Sequence, residues 1–298
     1  MRRMDAPLPA LFVSHGSPMI ALEPGAAGAF MQRLGPAIDA TFGRPAAIVS
    51  ISAHTAARVP VLLAAPRHAA VYDFGGFDPK LYTLRYDAPG APDLAPRVAA
   101  LLGSAGIAVQ TVPEGGLDHG AWTALRYIYP NADIPVLPLA FVPTQPPAQQ
   151  FALGAALAPL LTQGVLVLGS GSITHNLRRV FASGLRAPMD QPEVPETAAF
   201  RTWFDERSRA RDWDALLAYR TRAPHAVDMH PTDEHLLPWF VAAGAGGRGA
   251  APVRVHASVQ LGSLGMDAYA FGAAAPRLAA ALDARAENAS TVPAQTPA

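Results

Sequence analysis

The sequence predicts a single α/β domain in which a mostly parallel or mixed central sheet carries helices on both faces. Three short apolar runs, rich in β-branched residues, stop at small residues and lead within a few positions to His15, His54 and His175. Stretches with helical spacing separate strand-like runs, and this alternation is typical of a sheet with crossover helices. Because such sheets bind ligands at the carboxyl ends of their strands, a metal site is expected at that edge.

The predicted strands are short and buried. Gly16 and Pro18 end the first of them, since neither residue continues a strand well. Pro135 and Pro138 favour an edge or a bulge for the fifth strand. The predicted strands cover residues 10–13, 46–52, 59–64, 107–111, 134–142, 164–168 and 254–261.

The helices are predicted from apolar residues at helical spacing and from capping signals. One begins at Thr232, or at the His230-Pro231 pair, and runs to Gly244. In that helix His230 and Glu234 share a face, whereas His235 points elsewhere. The other predicted helices cover 24–34, 93–102, the stretch after His119, 149–161, 196–219 and 276–284.

The domain is predicted to span residues 1–285, followed by a disordered tail over 286–298 that is rich in Thr, Pro, Ser and Ala. The formal net charge of zero disfavours nucleic acid as a partner. No apolar stretch approaches the roughly 20 residues of a membrane span, and the short apolar run behind the basic start does not resemble a signal peptide. The sequence therefore predicts a soluble cytoplasmic protein with a small substrate, and no pattern in it indicates an oligomeric state.

The chemistry of the chain is expected to reside in its histidines. The chain has no cysteine, which excludes disulfides, thiolate metal sites and a cysteine nucleophile. Neutral imidazole is the commonest metal ligand, so strand-end histidines indicate a mononuclear Zn(II) or Fe(II) centre. The candidates, of which at least three are expected to share the site, are His15, His54, His119, His175 and His230.

The remaining histidines and one serine motif have weaker support. His68 and His256 are predicted to be structural or at the surface, and His225 and His235 to pack around the site rather than form it. The run Gly169-Ser170-Gly171-Ser172 resembles a nucleophile elbow, but Ile173 stands where the second glycine belongs. A serine hydrolase is therefore disfavoured.

Aromatic residues alternate with glycines and acidic residues between Val71 and Pro89. This composition fits either an ordered loop over a pocket or a surface hairpin. The sequence leaves both interpretations open.

Several motifs together resemble a known family. They are Ser14-His15-Gly16-Ser17-Pro18-Met19, Ser52-Ala53-His54, Tyr72-Asp73-Phe74-Gly75-Gly76-Phe77, Leu117-Asp118-His119-Gly120-Ala121-Trp122, Gly169-Ser170-Gly171-Ser172-Ile173-Thr174-His175-Asn176 and His230-Pro231-Thr232-Asp233-Glu234-His235. In this order they resemble the class III, LigB-like extradiol aromatic ring-opening dioxygenases, and most of all the bacterial and plant 4,5-DOPA dioxygenase group. The resemblance extends from residue 11 to about residue 271.

The resemblance implies a mononuclear metal at the edge of the sheet, held by His15, His54 and His230. It also implies that His175 is the acid–base residue and that His119 is a pocket histidine near the substrate. Better-studied relatives use a carboxylate as the third ligand, and here Glu234 is the alternative to His230. A ligand set of three imidazoles favours zinc more than a set that includes a carboxylate does. The resemblance therefore leaves two candidate metals, Fe(II) and Zn(II).

The function that the resemblance implies is cleavage of a DOPA-like catechol by O₂ to a semialdehyde. His175 would carry protons, while His119 and Tyr72 would hold the ring oxygens or a substrate carboxylate. Arg85 and Arg178 are further candidates for that carboxylate, and Glu234 and His235 are expected to support the ligands from outside. The alternatives are a zinc-dependent hydrolase with a metal-activated water and a metal-binding protein without catalysis.

Overall fold

A computed structural model describes residues 6–182 and 189–290 of the chain; for residues 181–182 and 287–290 it describes the backbone only. Its helices, labelled in chain order, are α1 (Gly25–Phe42), α2 (Ala95–Ser104), α3 (His119–Ile128), α4 (Pro147–Leu157), α5 (Leu177–Ala182), α6 (Pro195–Arg209), α7 (Trp213–Leu217), α8 (Tyr219–Arg222), α9 (Ala226–Met229), α10 (Leu237–Gly246) and α11 (Ala275–Ser290). Its strands are β1 (Ala10–Ser14), β2 (Ala47–Ser52), β3 (Val61–Leu63), β4 (Arg67–His68), β5 (Ala88–Pro89), β6 (Gln110–Val112), β7 (Val136–Ala140), β8 (Val165–Gly171), β9 (Val253–His256), β10 (Val259–Gln260), β11 (Leu264–Gly265) and β12 (Ala268–Phe271).

Within the described residues, eight strands form one mixed sheet in the order β6-β3-β7-β2-β8-β1-β12-β9. The central strands β7, β2, β8 and β1 run parallel to one another. Strands β12, β9 and β3 add antiparallel pairs on either side of that centre. The predicted α/β fold is confirmed, and of the two predicted sheet types the mixed one is formed.

Every residue of the four central strands is buried. A strand that is covered on both faces needs apolar side chains in both directions, which explains the continuous apolar runs in the sequence. Two adjacent residues of β8 each contact one of the helices that cover the sheet. A Cβ at Gly169 would collide with the carbonyl oxygen of Pro238 in α10, whereas the Ser170 hydroxyl donates to the carbonyl of Gly120 in α3. Since consecutive strand residues point to opposite faces, α10 and α3 lie on opposite sides of the sheet, as predicted.

The position of β7 differs from the prediction. This strand lies between β2 and β3 rather than at an edge, and Pro138 pairs with Ser50 of β2. The proline is tolerated because β3 pairs with β7 only at Leu139 and Ala140, beyond the residue that lacks an N–H.

The long helix predicted over 196–219 is divided. Helix α6 ends at Arg209, Arg211 adopts a left-handed φ of 55°, and the Asp212 carboxylate then accepts from the backbone N–H of Ala215 at 3.1 Å to start α7. A non-glycine residue in the left-handed region cannot continue a helix, so the chain turns there.

The C-terminal part is described only in part. Helix α11 reaches Ser290, five residues into the segment predicted to be disordered. Residues 291–298 of that predicted tail lie outside the described residues. Among the described helices, none has both the length and the apolar character needed to cross a bilayer.

A buried ion pair connects α6 to the edge of the sheet next to the first strand end. Arg201 donates from Nε and Nη2 to the two carboxylate oxygens of Asp267, at 2.7 and 3.0 Å, and Asp267 is fully buried. The Ser14 hydroxyl donates to the main-chain carbonyl of the same aspartate at 2.8 Å. The pair therefore joins α6 to the residue that precedes His15.

Arg201→Ala should lower the free energy of unfolding by about 3–5 kcal/mol, because it leaves the Asp267 carboxylate buried without its bidentate partner. Arg44→Ala, which removes two ion pairs from a side chain that is 44% exposed, should cost no more than about 1–2 kcal/mol. Urea denaturation of both variants measures the difference. Equal losses of unfolding free energy would show that the buried ion pair contributes no more than the exposed ones.

Candidate metal centre and active site

Two strand ends bring the first two histidines together. His15 follows β1 directly and His54 lies two residues beyond β2, and both strands are neighbours of β8. Their ring centroids are 5.1 Å apart, and the two Nε2 atoms are separated by 3.2 Å. The topology therefore places His15 and His54 at one point on the carboxyl edge, as the sequence predicts.

A third imidazole reaches the same point from the loop that precedes α10. The carbonyl of His235 accepts from the N–H of Ser172 at 2.8 Å, which holds this loop against the end of β8. The close approach requires glycine at 171, where a Cβ would collide with the carbonyl oxygen of His235. The His235 Nε2 thereby lies 3.3 Å from the Nε2 of His54.

The hydrogen bonds at Nδ1 define the tautomers of two of these rings. Ser170 donates its hydroxyl proton to the carbonyl of Gly120 at 2.6 Å, so its oxygen must accept from the Nδ1 of His15 at 2.9 Å. The Glu234 carboxylate, which can only accept, lies 3.1 Å from the Nδ1 of His235. Both rings carry their proton on Nδ1, which leaves the lone pair of each Nε2 free at the point of convergence.

Two of the three pairs in this donor set have the spacing of ligands to one divalent cation. Burial, followed by the neighbouring imidazoles, lowers the pKa of His15 and of His235 well below the ordinary value, and burial also lowers the pKa of His54. Neutral imidazole is the form that binds a metal. Ligands at about 2.0–2.1 Å from a tetrahedral metal are roughly 3.3 Å from one another, which agrees with the observed Nε2 separations of 3.2 and 3.3 Å.

His119 lies beside this trio at the start of α3. Its ring centroid is 3.9 Å from that of His54, and donor atoms of His15, His54 and His119 lie within 4.8 Å of one another. The preceding Asp118 ties α3 to the end of β2: its carboxylate accepts from the Ser52 hydroxyl at 2.6 Å, from Thr55 and from the N–H of Ala121. The Asp118 side chain caps the N-terminus of α3 and thus fixes where His119 enters the site.

His175 completes what we call the histidine cluster, namely His15, His54, His119, His175 and His235. The ring of His175 stacks on His235, with centroids 3.4 Å apart and planes inclined by 8°. Burial, with a smaller effect of His230, lowers the pKa of His175 to about 3. His175 is therefore neutral near pH 7.

His230 does not join the histidine cluster. It is fully buried, its Nε2 donates to the carbonyl of Ile173 at 2.7 Å, and its ring packs against Phe200 and Tyr219. The helix expected from residue 230 begins only at Leu237, with Pro238 in its first turn. Because residues 230–236 form a loop, the i, i+4 spacing of a helix does not apply there, and His235 rather than His230 lies beside His54.

An aromatic loop forms one side of the site. The Tyr72 hydroxyl donates to the carbonyl of Leu84 at 2.5 Å, so its proton is already engaged. Phe74, for which the sequence suggested no role, meets the ring of His119 edge-on with centroids 5.6 Å apart. The Asp73 carboxylate lies 3.0 Å from the Nδ1 of His119, and no local spacing in the sequence indicates this contact. The stretch is a loop between the antiparallel strands β4 and β5 that packs on His119, so it has features of both predicted alternatives.

The other predicted residues lie farther out. Arg178 is exposed and lines an open cavity of about 570 Å³ that also includes Asn176, the residue after His175. Arg85 is exposed on the aromatic loop. His68 accepts from the N–H of Gly116 and His256 stacks on Phe30, so both have packing roles, as expected.

Comparison with known proteins gives a consistent picture along almost the whole chain. Residues 9–272 match the family model described as the catalytic LigB subunit of aromatic ring-opening dioxygenase. The chain is 36% identical over 262 residues to a protein of Beta vulgaris named 4,5-DOPA dioxygenase extradiol, with 87% of this chain and 95% of that protein covered. It is 36% identical over 274 residues to a protein of the same name from Escherichia coli (strain K12), with 89% and 95% covered.

A solved structure shares the fold. The crystal structure of an uncharacterized protein from Escherichia coli K12 superposes with a TM-score of 0.68 at 28% identity, covering 89% of this chain and all of that one. The span that matches the family model, residues 9–272, contains every member of the histidine cluster.

Proposed function

Because the chain belongs to the LigB family of aromatic ring-opening dioxygenases, we propose that its substrate is a DOPA-like catechol, opened by O₂ to a semialdehyde. The predicted family and the predicted enzyme class, an extradiol ring-cleavage dioxygenase, are confirmed. The curated relatives named above are called 4,5-DOPA dioxygenases, which supports a catechol of this type. Location in the cytoplasm stays a prediction.

The observation that carries the proposal is the approach of the Nε2 atoms of His15 and His235 to that of His54, beside the rings of His119 and His175. We propose that one divalent metal, Fe(II) or Zn(II), is held by His15, His54 and His235, with His235 in the place that the resemblance assigns to His230. The Nε2 separations and the Nδ1 partners of His15 and His235 support this set. A ferrous ion held there would supply open coordination positions for the catechol oxygens and O₂ and a path for electrons between them.

We propose that His175 accepts and returns the proton during ring cleavage. Among the hydrogen bonds of the described residues, none engages the ring nitrogens of His175, so a nitrogen lone pair of the ring is available to a substrate hydroxyl. A ring nitrogen can therefore accept the proton of a catechol hydroxyl and return it later in the reaction. The stacking of His175 on His235 holds it next to the ligands.

The substrate ring would lie between the histidine cluster and the aromatic loop. Phe74 offers an aromatic edge beside His119, and His119 offers a polar contact for a ring oxygen. Tyr72 stays a proposed substrate contact through its ring and its oxygen lone pairs, since Leu84 already receives its proton.

Anaerobic loading with Fe(II), followed by DOPA in air, tests the proposal. We expect O₂ uptake in proportion to a yellow semialdehyde product. The alternative zinc-dependent hydrolase is not favoured by the comparisons. Absence of colour and O₂ uptake with every catechol, together with ester or amide cleavage by the Zn(II) form, would contradict the proposal.

Arg178 is the proposed contact for the carboxylate of the substrate. Arg178→Gln should raise the KM for DOPA about fivefold, because an exposed ion pair contributes up to about 1 kcal/mol. The KM for 4-methylcatechol, which has no carboxylate, should not change. Arg85→Gln is the matched control, and a larger effect in that variant would transfer the role to Arg85.

A further inference from the structure

Asp73 reaches the active site from a segment far from it in sequence. The segment is aligned with the approach to α3 by two main-chain hydrogen bonds, from Val71 N–H to Leu117 O at 2.7 Å and from Leu117 N–H to Ala69 O at 2.9 Å. The Trp122 indole N–H also donates to the carbonyl of Val71 at 3.1 Å. Main-chain pairing therefore fixes the distance between Asp73 and His119.

One oxygen of Asp73 serves two donors on His119. Oδ1 accepts from the backbone N–H of His119 at 2.9 Å and lies 3.0 Å from the ring Nδ1. An ionised carboxylate only accepts, so Nδ1 is the protonated nitrogen that faces Asp73, and Nε2 is left as the one ring nitrogen that can accept. The other oxygen, Oδ2, lies 3.9 Å from the Nδ1 of His54, so the same carboxylate also faces a proposed metal ligand.

The neighbouring Asp118 cannot take this role. Its two oxygens are occupied by Ser52, Thr55 and the N–H of Ala121, as described above. Asp118 fixes the start of α3, whereas Asp73 contacts the imidazole itself. Phe74 then limits rotation of the His119 ring from its edge.

We propose that Asp73 is a positioning residue that holds His119 in the tautomer with Nδ1 protonated, so that Nε2 is free to accept from a hydroxyl of the catechol. This inference rests on the proposed function, because it names the partner of Nε2. The tautomer itself is a property of the chain and is measurable without substrate. Carboxylate partners of metal-binding imidazoles typically contribute about 10–100-fold to activity or metal affinity, and we expect an effect of the same order at His119.

The direct test is ¹⁵N NMR of the full chain with ¹⁵N-labelled histidine, loaded with Zn(II), which is diamagnetic. Long-range ¹H–¹⁵N correlations separate protonated from unprotonated ring nitrogens, and His119→Gln assigns the His119 signals. We expect Nδ1 of His119 to be protonated in the unmodified chain and the two tautomers to mix in Asp73→Ala. A protonated Nε2 in the unmodified chain, or an unchanged tautomer in Asp73→Ala, would overturn the proposal.

Kinetics of the Fe(II) form provide the second measurement. Asp73→Ala should lower kcat for ring cleavage by roughly 10–100-fold with little change in KM. Asp73→Asn keeps an oxygen acceptor and should recover the tautomer and most of kcat. Asp78→Asn is the matched control, because it removes the same charge from an exposed position on the loop, where Asp78 accepts from the N–H of Lys80. This variant should leave the His119 tautomer and kcat unchanged.

The outcomes separate the two proposals. If Asp73→Ala does not fold, the tautomer in the unmodified chain and in Asp73→Asn still decides the role of Asp73. Equal loss of kcat in Asp73→Asn and Asp73→Ala with an unaltered tautomer in both would show a purely structural role and overturn the inference. If no catechol is cleaved while the tautomer responds as expected, the proposed function fails and the positioning role stands.

Discussion

His235→Ala should lose the metal and slow ring cleavage by ~10³-fold or more, because the metal supplies several kcal/mol of stabilisation to the reaction. The reason lies in the geometry: His235 contributes one of three converging Nε2 atoms, and its Nδ1 is already oriented by Glu234. Metal content after dialysis, measured by inductively coupled plasma mass spectrometry, and O₂ uptake with DOPA check this result.

His230→Gln is the matched control for that prediction. The amide of glutamine can still donate to the carbonyl of Ile173, so the variant should keep one metal per chain and lose at most about 1–3 kcal/mol of unfolding free energy. If His230→Gln lost the metal while His235→Ala kept it, the ligand set implied by the sequence resemblance would be right and the set proposed from the structure wrong.

His175→Ala should keep the metal yet slow turnover by about 10²–10⁴-fold, the usual contribution of a general acid–base residue. The side chain has no hydrogen-bond partner at its ring nitrogens among the described residues, and burial keeps it neutral, with a pKa of about 3. Single-turnover kinetics with DOPA, together with metal analysis, check both parts of this prediction.

His175→Phe separates proton transfer from packing. Phenylalanine keeps a ring stacked on His235 but cannot carry a proton, so this variant should be as slow as His175→Ala. Recovery of activity in His175→Phe would show that only the stacking matters. Loss of the metal in both variants would show that His175 is chiefly a ligand.

The sequence predicted the centre of the fold well because parallel strands leave a clear pattern. Buried runs that stop at small residues identified β1, β2 and β8 and hence the shared edge that holds His15, His54 and His175. The antiparallel neighbour β12 was not predicted, since Ala268–Phe271 is a run of only four residues with no alternation to distinguish it.

The assignment of the third ligand depended on local conformation. A helix through residues 230–244 would have placed His230 and Glu234 on one face, whereas the chain is a loop up to Leu237 and His235 reaches the other imidazoles instead. Residues four positions apart share a face only where the chain is helical. Asp73 illustrates a different limit: it meets His119 across 46 positions of sequence, and no periodicity reports such a contact.

The most direct test of the account is an anomalous-scattering crystal structure of the metal-loaded protein, with data collected on both sides of the iron or zinc absorption edge. The account predicts a single anomalous peak at about 2.0–2.2 Å from the Nε2 atoms of His15, His54 and His235, with His230 still bonded to the carbonyl of Ile173. A peak bonded to His230 but not to His235 would contradict it.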